Sequence, residues 1–326
     1  MAKLSVIMPN YNYGQYIGEA LEAVAGQSVA PEEIIVIDDA STDDSLRIIE
    51  QYRRKYPAIK LLRNEKNMGV VYSMRRGAEA AAGDYIYYAA SDDKVRPGFI
   101  ERSLELLEKY PQAAFSCCDN IVLDGDQEIP NRSFLSESPR YFSPREVPAL
   151  YAGDPFTPYI PHTAVINRSF FNEAGGLRLE HKWSCDSFVF SVMAFRHGYC
   201  YRPEGLQVMR VHKKQYGASN ARIFSQERDV IRSQLKTLEL PQYKDVLPQF
   251  RQAAPFSVYP YEVLRVIITN PKYWDYFSLK LLRFALFDKL VRRALIRLLP
   301  MSFWRRVLRQ VKLVKYHLMR RLKKDG

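Results

Sequence analysis

The chain has 326 residues, 47% of them hydrophobic, and 48 lysines and arginines against 36 acids, for a net charge of +12. This length suits one large α/β domain with an appendage, or two domains, and the apolar content is that of a globular protein. No apolar run approaches the eighteen or so residues of a membrane-spanning helix, and the segment Met1–Pro9 lacks the length and cleavage site of a signal peptide.

The charge is uneven. From Lys280 to Gly326 there are fifteen lysines and arginines and two acids, so the whole excess lies there and the preceding body is nearly neutral. Nucleic-acid binding needs a basic face on the folded body, so no nucleic-acid partner is expected. Cys117, Cys118, Cys185 and Cys200 form no CxxC pair and no zinc spacing. They read as reduced, partly buried thiols of a cytosolic protein.

In chain order, the pattern predicts a strand over 3–8 and a helix over 16–27. A strand over 33–37 and a helix over 44–56 follow, with Ser41 or Thr42 near the helix cap. Next come a strand over 59–62 and a helix over 70–82 ended by Gly83. A strand over 85–89 leads to a helix over 97–110 with Pro97 in its first turn, then a strand over 113–117. Strands alternating with helices imply a parallel sheet with right-handed crossovers. The rhythm then breaks. Residues 120–128 read as a hairpin about Asp124-Gly125-Asp126. Residues 131–161 are rich in Pro, Ser and Tyr and read as a lid or binding loop. A strand over 163–166, a helix over 187–197 ended by Gly198 and a strand over 206–211 are expected, and from about Ser219 onward the chain looks helical.

Two runs carry most of the chemistry. Ile34-Ile35-Val36-Ile37 stops at Asp38-Asp39, and Tyr85-Ile86-Tyr87-Tyr88 leads to Ser91-Asp92-Asp93. Side chains just past the carboxyl ends of parallel strands converge on one crevice, where ligands bind. Two acidic pairs at two such ends point to a cation, and to a polyanion held through it. Carboxylates suit Mg²⁺ or Mn²⁺, which take few protein ligands plus substrate phosphates. Asp38 and Asp43 read instead as helix caps or loop braces. No phosphate loop, dinucleotide turn, nucleophile elbow or HExxH is present.

Ser5-Val6-Ile7-Met8-Pro9-Asn10-Tyr11-Asn12, Asp38-Asp39-Ala40-Ser41-Thr42-Asp43, Asn67-Met68-Gly69, and Gly83-Asp84-Tyr85-Ile86 ahead of Ser91-Asp92-Asp93 resemble the family 2 glycosyltransferases over roughly residues 3–213. That resemblance implies an inverting enzyme with the GT-A fold, a Rossmann-like, mostly parallel sheet flanked by helices. Here it would occupy 1–218, followed by a helical region over 219–326. It implies that Pro9 and Tyr11 shape the pocket for the base, that Asp39 hydrogen-bonds base or ribose, and that Asn67 lies near the nucleotide or holds its own loop. Asp92 and Asp93 match the end of the DxD motif, which binds the metal, Mn²⁺ or Mg²⁺, and the ribose–diphosphate. Ala90 stands where the first Asp is usual. Met74 replaces a common Arg, so a phosphate or base contact is either missing or supplied by Arg75 or Arg76.

Trp183-Ser184-Cys185-Asp186-Ser187-Phe188 resembles the acceptor segment, which makes Asp186 the general base; the alternative is that Asp186 caps a helix, and one residue can do both. Cys185 replaces a more usual Glu. His212 corresponds to a His that approaches metal or diphosphate, or else is simply a packed residue. His162, His181 and His197 read as structural.

In the C-terminal segment Phe284, Phe287, Val291, Leu295 and Leu298, and after Pro300 a second stripe from Trp304 to Leu322, recur at helical spacing opposite Lys and Arg. Basic amphipathic helices suit an anionic membrane surface, and the alternative is that they pack on the body. The expected partners are therefore a nucleotide diphosphate sugar, a glycan or lipid-linked acceptor, and the cytoplasmic face of the membrane. A sugar-nucleotide nucleotidyltransferase and a non-catalytic membrane scaffold on a decayed fold are the alternatives.

Overall fold

β-branched runs buried on both faces form the centre of the sheet. Glu33–Asp38 is buried along its whole length and Leu4–Asn10 nearly so, as expected for inner strands of a parallel sheet covered by helices. The structure is a computed structural model that describes residues 2–151, 159, 161–212, 220–253, 255 and 260–287. The first elements are β1 (Leu4–Asn10), α1 (Gly14–Ala25), β2 (Glu33–Asp38), α2 (Ser45–Lys55), β3 (Ile59–Arg63), α3 (Val70–Ala80) and β4 (Tyr85–Tyr88). There follow β5 (Lys94–Val95), α4 (Phe99–Lys109), β6 (Phe115–Asp124), β7 (Gln127–Asn131), β8 (Arg140–Phe142), α5 (Val147–Leu150), β9 (Val165–Asn167), α6 (Arg168–Glu173), α7 (Cys185–His197) and β10 (Tyr199–Val211). α8 (Asn220–Leu238), α9 (Leu247–Ala253), α10 (Pro260–Ile268) and α11 (Leu279–Phe287) complete the described chain.

The strands form one sheet in the order β3-β2-β1-β4-β9-β6-β10-β5, with β7 on β6 and β8 on β10. β3, β2, β1 and β4 are parallel. β9 runs antiparallel to both β4 and β6, and β6 and β10 are parallel to each other. The two reversals leave β6 and β10 pointing the same way as β1, so His212 emerges at the same end of the sheet as Asp38 and Tyr88.

Several local expectations are corrected. Strand 113–117 and the first arm of the hairpin are one continuous strand, β6, whose antiparallel partner β7 starts after the Gly125 turn. Pro97 precedes the helix, because left-handed Gly98 breaks the backbone before α4. The flanking residue of α2 is Asp44 rather than Ser41 or Thr42, and Asp43 just before it braces the first turn, its Oδ1 accepting from Ser45 N at 3.0 Å. α7 begins at Cys185, with Ser184 as its flanking residue, so Asp186 lies in the first turn and is not the cap. All four cysteines are free and buried.

Helices α8–α11 pack into the same core as α7, where Phe188 and Phe195 meet Tyr243 and Phe250. The basic amphipathic stripes beyond Phe287 lie outside the described residues.

Candidate active site

At the carboxyl ends of β1 and β2, a hydrogen-bonded lattice builds the crevice floor. Asn10 Nδ2 donates to Asp38 Oδ1 at 3.0 Å and to Ser41 Oγ at 3.1 Å. Asn12 Oδ1 accepts from Thr42 N at 2.8 Å, and Asp43 Oδ2 from Gly14 N at 2.8 Å. Asp38 and Asp43 are thus braces. Asn12 and Ala40 both adopt left-handed backbone, with φ of 57° and 62°. Asn tolerates this conformation, whereas for Ala it costs about 1 kcal/mol or more and persists only where surrounding contacts enforce it. The lattice linking the two loops is that enforcement.

Asp39 is buried and engaged by the loop that leads into α3. Its Oδ1 accepts from Asn64 Nδ2 at 2.6 Å and Met68 N at 2.8 Å, and its Oδ2 from Gly69 N at 2.8 Å. Asn67 Oδ1 accepts from Gly69 N at 3.1 Å, so Asn67 does hold its own loop. Arg76 donates to Asn64 Oδ1 and to the carbonyl of Arg63. Of the two candidates near the apolar Met74, Arg76 therefore touches this cluster, while Arg75 pairs with Glu79. Met74 packs on the core that contains Cys185. Pro9 accepts through its carbonyl from Ser91 Oγ, which ties β1 to the turn carrying the acidic pair, and Tyr11 is an exposed aromatic at the rim.

Asp92 and Asp93 are both largely buried but face different partners. Asp92 Oδ2 lies 2.9 Å from His212 Nε2. The His212 ring packs between Tyr13 and Tyr16, with centroids 5.5 and 5.0 Å away, and its buried Nδ1 has no hydrogen-bond partner among the described residues. Asp93 turns toward β10, where its Oδ2 accepts from Gln207 Nε2 and its Oδ1 from Arg210 N, both at 2.9 Å. Burial, then the neighbouring Asp92 charge, push Asp93 up to about 7, against the pull of the Arg210 and Gln207 N–H groups. Arg210 also donates through Nε to the Asp92 carbonyl at 3.2 Å and pairs with Glu19 at 2.9 Å. Sequence reading missed Asn64, Gln207 and Arg210. Asn64 follows β3 as Asp39 follows β2, and Arg210 alternates with His212 along one strand, so both had a positional signal.

Asp186 stands in the first turn of α7, where the helix dipole favours a carboxylate. Its Oδ1 accepts from Ser187 N at 2.6 Å, and Oδ2 has no protein partner among the described residues. Burial raises its pKa above the usual aspartate value. The residues leading to it, 179–184, form a 3-10 turn with Lys182 at φ 49°. This turn packs on α3, so the segment bearing Asp186 adjoins the element that follows the Asp39 loop.

Among the described residues no group of three or more His, Cys, Asp or Glu side chains converges as a metal-binding cluster. Asp92 and His212 form a pair, one carboxylate and one imidazole. The carboxylate would suit either Mn²⁺ or Mg²⁺, with phosphate and water as the remaining ligands, whereas a ligating imidazole would favour Mn²⁺ over the strictly oxygen-seeking Mg²⁺.

The sequence profile of Glycosyl transferase family 2 matches residues 5–175. The chain is 39% identical over 99 residues to the "Uncharacterized glycosyltransferase YibD" of Escherichia coli (strain K12), covering 30% of this chain and 28% of that protein. It is 37% identical over 99 residues to the "Cholesterol galactosyltransferase" of Borreliella burgdorferi, covering 30% of this chain and 27% of that one. The chain thus spans under a third of either relative. Its fold resembles that of S. aureus TarS 1-349 solved in complex with UDP-GlcNAc, with a TM-score of 0.61 and 17% identity over 87% of this chain and 78% of TarS 1-349. The α/β architecture expected from the strand–helix rhythm is the architecture of that protein.

Proposed function

The chain belongs to glycosyl transferase family 2, and from that premise we propose that it transfers a sugar from a nucleoside diphosphate to an acceptor hydroxyl, with inversion. The observation that carries this reading is the pairing of Asp92 with His212 at the sheet end that also holds the Asp39 loop. A nucleotidyltransferase would need a glycine-rich basic loop after its first strand, and Pro9-Asn10-Tyr11-Asn12 is not one. No observation favours the non-catalytic scaffold.

Each residue then has a role. Pro9 and Tyr11 border the base, and the Asp39 cluster, with Asn64 and Arg76 behind it, fixes the loop against which base and ribose rest. Asn67 keeps that loop in shape. Asp92 and His212 would hold a divalent cation, Mn²⁺ or Mg²⁺. The bound cation would neutralise charge on the departing diphosphate. Asp93 keeps Asp92 in place by anchoring the turn to β10. The acceptor oxygen attacks the anomeric carbon, the bond from that carbon to the diphosphate oxygen breaks with its electron pair leaving on the diphosphate, and the acceptor proton passes to Asp186. Asp186 Oδ2 is the available oxygen, since Oδ1 is engaged by Ser187. A raised pKa suits a base working near neutrality.

TarS was solved with UDP-GlcNAc, so a UDP-sugar is the first donor to test. We divide the chain into a transferase part over 1–218 and a helical part over 219–326. The basic segment of the latter would hold the enzyme on the cytoplasmic face of an anionic membrane, where the acceptor is a lipid-linked or surface-polysaccharide precursor. A screen of UDP- and other nucleoside diphosphate sugars, with and without Mn²⁺, tests the reading by calorimetry and by release of nucleoside diphosphate. Turnover of a nucleoside triphosphate with a sugar phosphate, and of no diphosphate sugar, would replace it with the nucleotidyltransferase.

A further inference from the structure

Ten large hydrophobic side chains are exposed among the described residues, and five of them, Ile268, Trp274, Phe277, Leu279 and Leu286, fall between residues 268 and 286. Four of them follow one another along the corner formed by the turn that joins α10 to α11, two elements that pack together. Ile268 closes α10, Trp274 lies in the 3-10 turn Pro271–Tyr276, and Phe277 and Leu279 lead into α11. Exposures of 54%, 59%, 46% and 74% place most of these side chains in solvent.

The corner is built, not loose. Asn270 caps the turn by accepting from Lys272 N at 3.2 Å. Tyr273 Oη donates to Glu239 Oε1 at 2.7 Å, and Arg251 pairs with Asp275 at 2.8 Å. Beneath it Val266, Ile267, Tyr276 and Leu281 are buried, and α10 packs on α11. The inner face is thus pinned while the outer face is apolar. Single exposed hydrophobics need no explanation, but a cluster marks a surface that something covers. Trp settles at a membrane–water boundary, and Trp, Phe and Leu make up the apolar face of helices that lie in it.

Charge selects the partner. The corner runs directly into the segment from Lys280 to Gly326, which carries fifteen lysines and arginines and two acids. A polybasic segment beside an aromatic, aliphatic protrusion is the two-signal combination that makes attachment to an anionic bilayer durable. We propose that the corner of Ile268, Trp274, Phe277 and Leu279 is a wedge that inserts into the boundary region of an anionic lipid bilayer. The proposal rests on the membrane reading of the basic segment given above, and adds to it a defined insertion point that fixes which face of the protein meets the lipid.

The test uses the full-length chain, its W274E/F277E and W274A/F277A variants, and a chain ending at Phe287. Each is sedimented with phosphatidylcholine vesicles with or without phosphatidylglycerol. Low salt is compared with about 1 M salt, where the screening length is about 3 Å. Insertion resists salt and charge attraction does not. The W274E/F277E chain should therefore keep most low-salt binding and lose about tenfold or more of the high-salt binding, with W274A/F277A intermediate. Unchanged donor hydrolysis reports that both variants are folded. Equal high-salt binding by parent and variants overturns the wedge and leaves the basic segment as the whole anchor. A parent that self-associates where W274E/F277E does not, with equal vesicle binding, assigns the corner to a second copy instead. If the full-length chain ignores anionic vesicles even at low salt, the membrane reading of the basic segment fails first and the wedge with it.

Discussion

Asp92 and Asp93 are adjacent in the chain and opposite in surroundings. Among the described residues Asp92 meets only His212 through its side chain, whereas both oxygens of Asp93 accept N–H groups from β10. D92N and H212A should each abolish metal-dependent binding of a nucleoside diphosphate in calorimetry, while D93N weakens it less and lowers the thermal midpoint more. Equal loss of binding in D92N and D93N, at equal stability, would mean that Asp93 also touches the ligand. D186N should leave donor binding intact and slow transfer by about 10² to 10⁴, the range for a positioned base. Transfer within a few-fold of the parent would reduce Asp186 to a helix-terminus residue. The acidic positions were legible because carboxylates at the ends of apolar runs are conspicuous. Their division of labour was not, because it depends on Gln207 and Arg210, more than a hundred residues further along the chain.

At the scale of elements, the packing of α3 on the sheet shows where the tolerance is smallest. Gly77 faces the sheet so closely that an added Cβ would come within 2.3 Å of Ile7 Cγ2 and 2.7 Å of Ile37 Cδ1. Both isoleucines are fully buried inner-strand residues with no free space to retreat into. Gly-to-Ala in a helix is ordinarily stabilising by roughly 0.5–1 kcal/mol. Here overpacking should dominate, with G77A destabilising by about 1–3 kcal/mol. A lowered urea midpoint with an unchanged slope would report this, and a raised midpoint would mean that α3 can shift outward freely. Such a shift would also disturb Asp39, since Met68 and Gly69 lead directly into α3.

The same scale separates what local pattern reveals from what it hides. β1 to α3 follow sequence periodicity within two residues at each end, because each strand is a short run with an apolar centre and each helix has its own apolar stripe. β5, β8 and β9 are two or three residues long. β5 and β8 are strands only because β10 offers them an edge, and no local periodicity encodes that, whereas β9 overlaps the strand expected over 163–166. The antiparallel direction of β9 within the mostly parallel sheet is set by its neighbours β4 and β6 and has no local signal. In the candidate site, the loop braces Asp38 and Asp43 could be read from residue type, but the clamp on Asp39 required the return of the chain through Asn64 and Gly69.

For the molecule as a whole, the join between the α/β layer and the C-terminal helices responds to acid. His181 is fully buried in the turn that precedes Asp186. Its Nε2 lies 2.9 Å from Thr237 Oγ1 of α8, its ring packs edge-on against Phe188 at 4.5 Å, and its buried Nδ1 has no hydrogen-bond partner among the described residues. Burial pushes its pKa down to about 4, while the unfolded chain keeps a value near 6.5. Above about pH 6.5 neither state takes the proton and His181 contributes no pH dependence. As pH falls from there toward 4 the unfolded state is protonated and the folded state is not, so stability is lost throughout that window and levels off below it. The full loss is roughly 3 kcal/mol for this residue. His162, also pushed down to about 4 by burial, acts in the same direction. Asp93, raised to about 7 by burial, acts the other way over the same window, so the part due to His181 is the excess fall of the parent's urea midpoint over that of H181Q between about pH 7 and pH 5. H181Q, which can still bond Thr237 but cannot be protonated, should flatten that fall and leave only the part due to other groups. An unchanged slope in H181Q would show that the buried imidazole is not what couples acid to this join. Because the turn holds Asp186 on one side and α8 on the other, the same acid opening should cost transfer activity before it costs the β1–β4 half of the sheet. That half carries no histidine, so amide exchange at pH 5 should loosen 179–184 and α8 first.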